Sequence, residues 1–249
     1  MPFLASVEGV FGYGRPVPSN QTAPVTNNLV LWYDPSDVTS YPGSGTTIND
    51  LSPNPVNGTL ANISYVNPYF SYNGTTSQVT ILDAAKLEPG SGDWTMEAWF
   101  YTTAFKTGSA GVILGKFDPG GGSQDVSYSI RTNSVGGLFA QIGDGTGAYV
   151  NSTTYQTRLN VWAQVVYVWK NIATNSIETF INGSSIGSVN HALPSILNTS
   201  ANLYLGSYNG GEFSQWFNGR IGIVRLYNTA LTSAQVIQNY TADKSKYGL

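Results

Sequence analysis

The sequence predicts an all-β sandwich of antiparallel strands, and three observations support that prediction. From Leu29 onward, short runs in which apolar and polar residues alternate recur along the chain, as in strands with one buried face. Clusters of Gly, Asn, Pro and Asp separate these runs, which is the turn chemistry of antiparallel sheets. Hydrophobic residues make up 41% of the chain and aromatic residues 13%, so it can bury a full core although it has no cysteine.

The individual strands can be identified as runs of β-branched and aromatic residues bounded by turn residues. Asn182-Gly183 lies between two such runs, and this pair is favoured in the type I′ turn of a β-hairpin. No period of about 20–50 residues repeats along the chain, which argues against propellers and solenoids. The runs that we predict as strands are residues 78–81, 94–101, 126–131, 162–169, 177–181 and 221–227.

One short helix is predicted near the C-terminus. Thr232 and Gln235 have the spacing of a capping box, in which two side chains satisfy backbone N–H groups at the start of a helix. Val236, Ile237 and Tyr240 would then lie on one face of that helix. We expect this face to pack against an edge of the sandwich.

Residues 1–27 predict an extended N-terminal arm ahead of a domain at residues 28–249, because they mix apolar residues with turn formers. The arm is more apolar than a free linker needs to be, so we expect it to anchor the protein to other structural proteins or to another copy of itself. Such a segment can add a strand to the edge of a sheet. The alternative is that it folds back along its own sandwich. The predicted anchoring residues are Phe3, Leu4, Val7, Val10, Phe11 and Tyr13.

Charge and hydropathy exclude several classes of partner. Charged residues make up 10% of the chain and its net charge is −3, so no basic surface could neutralise a nucleic-acid backbone. The longest apolar runs, such as residues 161–169, are far shorter than the ~20 residues that span a bilayer, so we expect no membrane insertion. The N-terminus lacks a basic region and Glu8 interrupts its apolar run, so no signal peptide is expected.

Several segments, in order along the chain, resemble one known family. They include Trp94-Thr-Met-Glu-Ala-Trp-Phe, Phe180-Ile-Asn-Gly and Phe217-Asn-Gly-Arg-Ile-Gly-Ile-Val-Arg-Leu-Tyr-Asn. These segments are similar to successive strands of the concanavalin A-like lectin/glucanase superfamily, in its laminin G-like and pentraxin-like branch. The resemblance implies a jelly-roll sandwich of two antiparallel sheets. Members of this fold include lectins, adhesion modules, hydrolases and structural domains, so the function has to be argued from the site.

Hydrolysis is not expected, because the carboxylates are not placed for it. The resemblance implies that a hydrolase of this fold would carry carboxylates at alternate positions of one strand, about 5–5.5 Å apart. The nearest candidates are Asp93 and Glu97, but Asp93 lies in the turn before the strand. We therefore expect Glu97 to face solvent or a hydroxyl partner, and we expect the protein not to be an enzyme.

Two loops carry side chains that could bind ligands. A glycine run separates Asp118 from Asp125, and Ca²⁺ favours carboxylate and carbonyl oxygens in such loops. Calcium at these two residues is the one cofactor predicted, with an ordinary surface turn as the alternative. The second loop predicts sugar contacts, because it combines aromatic rings with amide and carboxylate groups. Its alternative is a hairpin whose Trp216 caps the core, and its candidate ligand-binding residues are Tyr208, Asn209, Glu212 and Trp216.

Three functions are compatible with these features. The first is a non-enzymatic structural or binding module, such as a capsid-decoration, fibre or adhesion component. It would be displayed on a virion surface or outside the cell, anchored by its arm and in contact with cell-surface glycans. The second is a calcium-dependent carbohydrate-binding lectin that acts without the arm. The third is a divergent glycoside hydrolase that depends on Glu97, and the lack of a carboxylate pair makes it the weakest of the three.

Overall fold

The computed structural model describes residues 22–117, 126–208 and 215–249, which form two antiparallel sheets and one short C-terminal α-helix. This confirms the all-β prediction. In chain order the strands are β1 (Leu29–Tyr33), β2 (Thr47–Ile48), β3 (Gly58–Ala61), β4 (Ser64–Val66), β5 (Tyr69–Asn73), β6 (Gln78–Ile81), β7 (Trp94–Ala104), β8 (Gly111–Phe117), β9 (Val126–Thr132), β10 (Gly137–Gly143), β11 (Tyr149–Asn151), β12 (Tyr155–Gln156), β13 (Trp162–Lys170), β14 (Ser176–Ile181), β15 (Ser184–Asn190), β16 (Leu203–Leu205) and β17 (Asn218–Tyr227). The α-helix is α1 (Ser233–Asp243), and 3-10 helices are formed by Ala85–Leu87 and Lys244–Tyr247.

The two sheets have the strand order of a jelly roll, in which strands far apart in the sequence lie side by side. Sheet A has the order β15-β14-β13-β7-β17-β5-β4, and β1 also pairs with β17. Sheet B has the order β11-β10-β9-β8-β16-β6-β3-β2, and β12 also pairs with β10. The main core lies between the sheets and includes Trp94 and Phe100 from sheet A and Tyr128 and Ile130 from sheet B.

The outer face of sheet A is also buried over much of its area, because the C-terminal helices lie on it. Val236 of α1 packs with Val166 and Phe180 of sheet A. The ring of Tyr247 stacks on that of Trp99, with ring centroids 4.4 Å apart. The helix therefore covers a face of the sandwich, and the prediction that it packs on an edge is wrong.

Two local predictions about turns and caps are confirmed. Asn182 and Gly183 both have positive φ, 50° and 77°, as a type I′ turn requires. At the start of α1, the hydroxyl of Thr232 accepts a hydrogen bond from the backbone N–H of Gln235. The Gln235 side chain in turn accepts one from the backbone N–H of Thr232. Both elements were predictable because their geometry depends on neighbouring residues alone.

The end of the predicted arm packs on the domain. Val25 is buried, and its backbone N–H donates to Oδ1 of Asn239 in α1 at 2.8 Å. The Val25 carbonyl accepts a hydrogen bond from the Tyr227 hydroxyl at 3.1 Å. The fold-back alternative therefore holds for this part of the arm. The six predicted anchoring residues, Phe3, Leu4, Val7, Val10, Phe11 and Tyr13, lie outside the described residues, and their role stays a prediction.

The α-helix in the described part of the chain is 11 residues long. No helix in that part is long and apolar enough to cross a bilayer.

Candidate functional site

Glu97 is a structural residue, and the prediction that it faces solvent or a hydroxyl partner is wrong. Its side chain is fully buried beneath α1. Its Oε1 lies 3.2 Å from Nη1 of Arg225 and accepts a hydrogen bond from Gln164 at 2.8 Å. Its Oε2 accepts a hydrogen bond from Asn239 at 2.7 Å. Burial raises the pKa of Glu97, and the positive charge of Arg225 opposes that shift.

Asp93 does not form a catalytic pair with Glu97. Its Oδ1 accepts hydrogen bonds from the backbone N–H groups of Asn171 and Ile172, at 2.8 and 3.0 Å, and so stabilises a turn. Glu97 is held in an ion pair on the far side of a strand from the core. The two carboxylates that the sequence offered for hydrolysis therefore both have structural partners.

The two predicted ligand loops begin and end side by side on the outer face of sheet B. The calcium loop leaves β8 at Phe117 and enters β9 at Val126. The sugar loop begins at Tyr208, whose ring centroid lies 3.8 Å from that of Phe117. Val112 of β8 completes this apolar cluster. The structure thus brings together two segments that the sequence could only treat separately.

Within the sugar loop, the two described candidates have different positions. Tyr208 is fully buried against Phe117, so its ring packs inside the protein. Trp216 is half-buried and forms a β-bridge with Val112. Asn209 and Glu212 lie outside the described residues, as do Asp118 and Asp125 of the calcium loop. Their ligand and calcium contacts therefore stay predictions.

Arg131 of β9 lies beside this cluster on the same face. It pairs directly with Val112 on one side and with Phe139 on the other. Its Cζ atom lies 5.6 Å from the centroid of the Phe117 ring, and its side chain is only 6% exposed. Burial lowers the pKa of Arg131 to about 10, while Tyr208 acts in the opposite direction.

The guanidinium of Arg131 has unused hydrogen-bonding capacity. Its Nε and Nη2 atoms are buried and have no hydrogen-bond partner in residues 22–117, 126–208 and 215–249, and it forms no ion pair with a carboxylate of those ranges. These two N–H groups form one edge of the guanidinium, which matches a carboxylate or two neighbouring oxygens. A buried cation without a partner is costly, so an unpaired arginine here calls for an explanation beyond packing.

Two buried amide oxygens complement this donor edge. Gln141 lies on β10, opposite Ser129, and therefore on the same face as Arg131. Gln215 precedes Trp216 at the end of the sugar loop. The two glutamines are 7% and 9% exposed, and the Oε1 atom of each has no hydrogen-bond partner. Among the described residues, Arg131 and Gln141 thus place an unpaired donor edge and an unpaired acceptor on the same face, as in sites that bind polar ligands.

The sequence carried a weak signal for this site. Ser127, Ser129 and Arg131 alternate with apolar residues along β9, a pattern that normally indicates a strand with one face in water. All seven residues of β9 are buried instead. In the described ranges no group of three or more His, Asp or Glu residues is placed to hold a metal ion.

Comparisons with known proteins agree with the architecture. A family model described as the concanavalin A-like lectin/glucanases superfamily, of the laminin G type, matches residues 73–237. A search of curated protein sequences finds no match. Among solved structures, the binding domain of Paraclostridial Mosquitocidal Protein 1 superposes with a TM-score of 0.67 and 16% identity. That superposition covers 86% of this chain and 52% of the other.

Two botulinum neurotoxin domains give similar superpositions. The serotype G binding domain has a TM-score of 0.66 and 13% identity, covering 88% of this chain and 52% of that one. The neurotoxin DC binding domain, solved in complex with SialylT, has a TM-score of 0.64 and 12% identity, covering 87% and 52%. The chain thus spans about half the length of these domains, and identities this low establish a shared fold.

Proposed function

The chain belongs to the concanavalin A-like lectin/glucanase superfamily, and on that basis we propose that it is a non-enzymatic glycan-binding module whose ligand contacts sheet B at Arg131. The carrying observation is the buried edge of Arg131, whose two N–H donors have no partner among the described residues. Neighbouring hydroxyl oxygens of a pyranose, or a sugar carboxylate, match that edge. The unpaired oxygens of Gln141 and Gln215 would accept hydrogen bonds from sugar hydroxyl groups.

Two further observations support a binding role. The structural neighbours are described as binding domains, and one of them was solved in complex with SialylT. In this chain, both carboxylates that could have served hydrolysis are committed to structural contacts. A lectin-type fold in which Asp93 and Glu97 both have structural partners fits binding better than hydrolysis by that pair.

Arg131→Met is expected to abolish binding of neutral glycans while leaving the free energy of unfolding unchanged or higher. Methionine fills a similar volume without the desolvation cost of a buried charge, and replacing even paired buried charges by hydrophobic residues is often neutral or stabilising by roughly 1–4 kcal/mol. Binding would be measured on a glycan array and then by calorimetry on the best ligand, and stability by urea denaturation. Lys244→Gln, which removes a positive charge that forms no ion pair and lies far from β9, serves as the matched control.

A loss of stability in Arg131→Met with unchanged glycan binding would show that Arg131 is only structural. If the wild-type chain binds a neutral glycan on the array and Arg131→Met binds it equally well, that glycan binds elsewhere. Chelation with EDTA belongs in the same experiment. Binding that disappears on chelation would support calcium at Asp118 and Asp125 and the lectin alternative, and binding that persists would remove calcium from the proposal.

A structural role on a virion or cell surface is the second proposal, with residues 1–27 as its anchor. Its support is the composition of residues 1–21, which are more apolar than a free linker needs to be. Segments anchored at one end can pair with a sheet edge of a neighbouring molecule. This structural role does not exclude binding of calcium or of glycans by the same domain.

Removal of residues 1–21 is expected to convert an oligomer into a folded monomer, because Val25 and the contacts that hold it remain in place. Mass would be measured by light scattering for the full chain and the truncated chain, each with and without EDTA. An unchanged mass would contradict the anchoring proposal. Loss of folded structure in the truncated chain would show instead that the arm packs on its own domain.

A further inference from the structure

A second cluster of aromatic and cationic side chains lies on the outer face of sheet A, beside the 3-10 helix Lys244–Tyr247, whose Tyr247 ring packs on Trp162 with centroids 4.5 Å apart. Trp162 of β13 pairs directly with Tyr101 of β7, and Tyr101 pairs directly with Arg220 of β17. Directly paired residues share one face of a sheet, so these three side chains form a row across three strands. Tyr69 of β5 joins them, and all four side chains are half-buried. We call these four residues the aromatic-arginine patch.

The guanidinium of Arg220 is held between two tyrosine rings. Its Cζ lies 4.7 Å from the centroid of the Tyr69 ring and 4.4 Å from that of Tyr101. Trp162 contacts the same two rings, with centroid distances of 5.4 and 5.6 Å. Rings on two sides restrict the side chain, so little conformational entropy remains to be lost when a ligand binds.

Arg220 has no ion-pair partner among the described carboxylates. Arg225, on the same strand, differs in this respect, because it pairs with both Glu97 and Asp243. Stacking uses the flat face of a guanidinium and leaves its N–H edges free to donate in plane. The patch therefore presents fixed donors and a positive charge that no described carboxylate neutralises.

A second unpaired cation lies next to the patch. Arg158 is exposed, forms no ion pair with the described residues, and lines a small cleft together with Trp162, Val161 and Asn182. None of the described side chains that line this cleft is acidic. In a chain whose net charge is −3, this area is locally positive. Charge complementarity therefore indicates an anionic ligand.

The surroundings of the patch are apolar. Val66, directly opposite Tyr69 on β4, is 51% exposed, and Val161 beside Trp162 is 46% exposed. A ligand with a charged group and an apolar face could use both properties. Pyranose rings have such faces, formed by their C–H groups, and aromatic side chains supply the matching surface in polar sites. A nucleic-acid backbone would need a larger basic surface than these two arginines provide.

We propose that the aromatic-arginine patch binds a sugar residue that carries a carboxylate. The N–H edge of Arg220 donates two hydrogen bonds to the carboxylate oxygens, and the sugar ring lies against Trp162. Arg158 adds a second positive charge beside the same tryptophan. This site is on the opposite sheet from Arg131, so it shares with the proposed function the class of ligand but none of the residues.

The test compares an acidic sugar with its neutral ester. Tetragalacturonate and its methyl ester would be titrated into the full chain by calorimetry at low salt. The acid is expected to bind about tenfold more tightly than the ester or better, because hydrogen bonds to a charged group are lost with the charge. Arg220→Met is expected to weaken binding of the acid by about the same factor. Arg131→Met and the charge control Lys244→Gln are expected to leave it unchanged.

Several results would overturn this proposal. Equal binding of acid and ester, absence of binding to the acid, or unchanged binding in Arg220→Met each contradict it. A poly-glutamate peptide that displaces tetragalacturonate as well as free tetragalacturonate does would show that the patch recognises carboxylates whether or not they belong to a sugar. That result also contradicts the proposal. If Arg131→Met alone abolishes binding, the acidic sugar belongs to sheet B. That result would support the proposed function at Arg131 and contradict the proposal for the aromatic-arginine patch.

Discussion

Arg225→Met is expected to lower the free energy of unfolding by about 3–5 kcal/mol, as for other buried ion pairs that lose one partner. Arg225 is fully buried between sheet A and α1, where Nη1 lies 3.2 Å from Glu97 and 2.7 Å from Asp243. Its removal leaves two carboxylates beneath the helix. Asp243 keeps a second partner, Lys246, at 3.2 Å, whereas Glu97 keeps only the amides of Gln164 and Asn239.

The measurement is equilibrium denaturation in urea, with Lys170→Met as the matched control. Lys170 pairs with Glu178, but both side chains are partly exposed, so its loss is expected to cost less than about 1 kcal/mol. The double variant Glu97→Gln/Arg225→Met should recover part of the stability, because one buried charge is gone. Equal effects in Arg225→Met and Lys170→Met would contradict this account of the ion pair.

Gly219→Ala is expected to destabilise the protein by about 3 kcal/mol, the upper range for forced overpacking. A Cβ atom at this position would lie 2.2 Å from the backbone oxygen of Tyr101 and 2.8 Å from the ring of Phe217. The backbone of Tyr101 cannot retreat easily, because its strand is paired on both sides, with β13 and with β17. The register shift between Asn218 and Gly219 depends on this close approach.

Gly45→Ala is the control for Gly219→Ala. Gly45 has a φ of +95° but open space around its Cβ position, so that only backbone strain is expected, roughly 1–2 kcal/mol. Thermal unfolding of both variants measures the difference. Because Arg220 follows Gly219, binding of tetragalacturonate should fall in Gly219→Ala as well. If Gly219→Ala is as stable as Gly45→Ala or more stable, β7 and β17 can move apart without a loss of stability.

Much of the fold could be predicted, because strand and turn signals are local. Residues 94–101 and 162–169 lie within β7 and β13 as predicted. The predicted hairpin turn lies at Asn182-Gly183, between β14 and β15. Glu97 was predicted wrongly for a different reason. An alternating strand shows which residues share a face, but it cannot show that a helix from the end of the chain covers the outer face.

The candidate sites were harder to predict for the same reason. Tyr101, Trp162 and Arg220 come from three separate strands, and only the strand order of sheet A places them in one row. Arg131 resembles an ordinary solvent-facing residue until its burial and missing partners are known. The sequence predicted sugar contacts at one loop, whereas the positions of the side chains in both candidate sites depend on pairings between distant parts of the chain.

The contact between the first and last described elements determines how the domain can be joined to other proteins. Thr22 and Ala23 line the same cleft as Asp243 and Lys246, and β1 pairs with β17. Segments attached at either end therefore leave from one side of the sandwich. A domain with adjacent entry and exit points can be placed within a longer polypeptide as a self-contained insert, and it leaves the flanking chain nearly continuous.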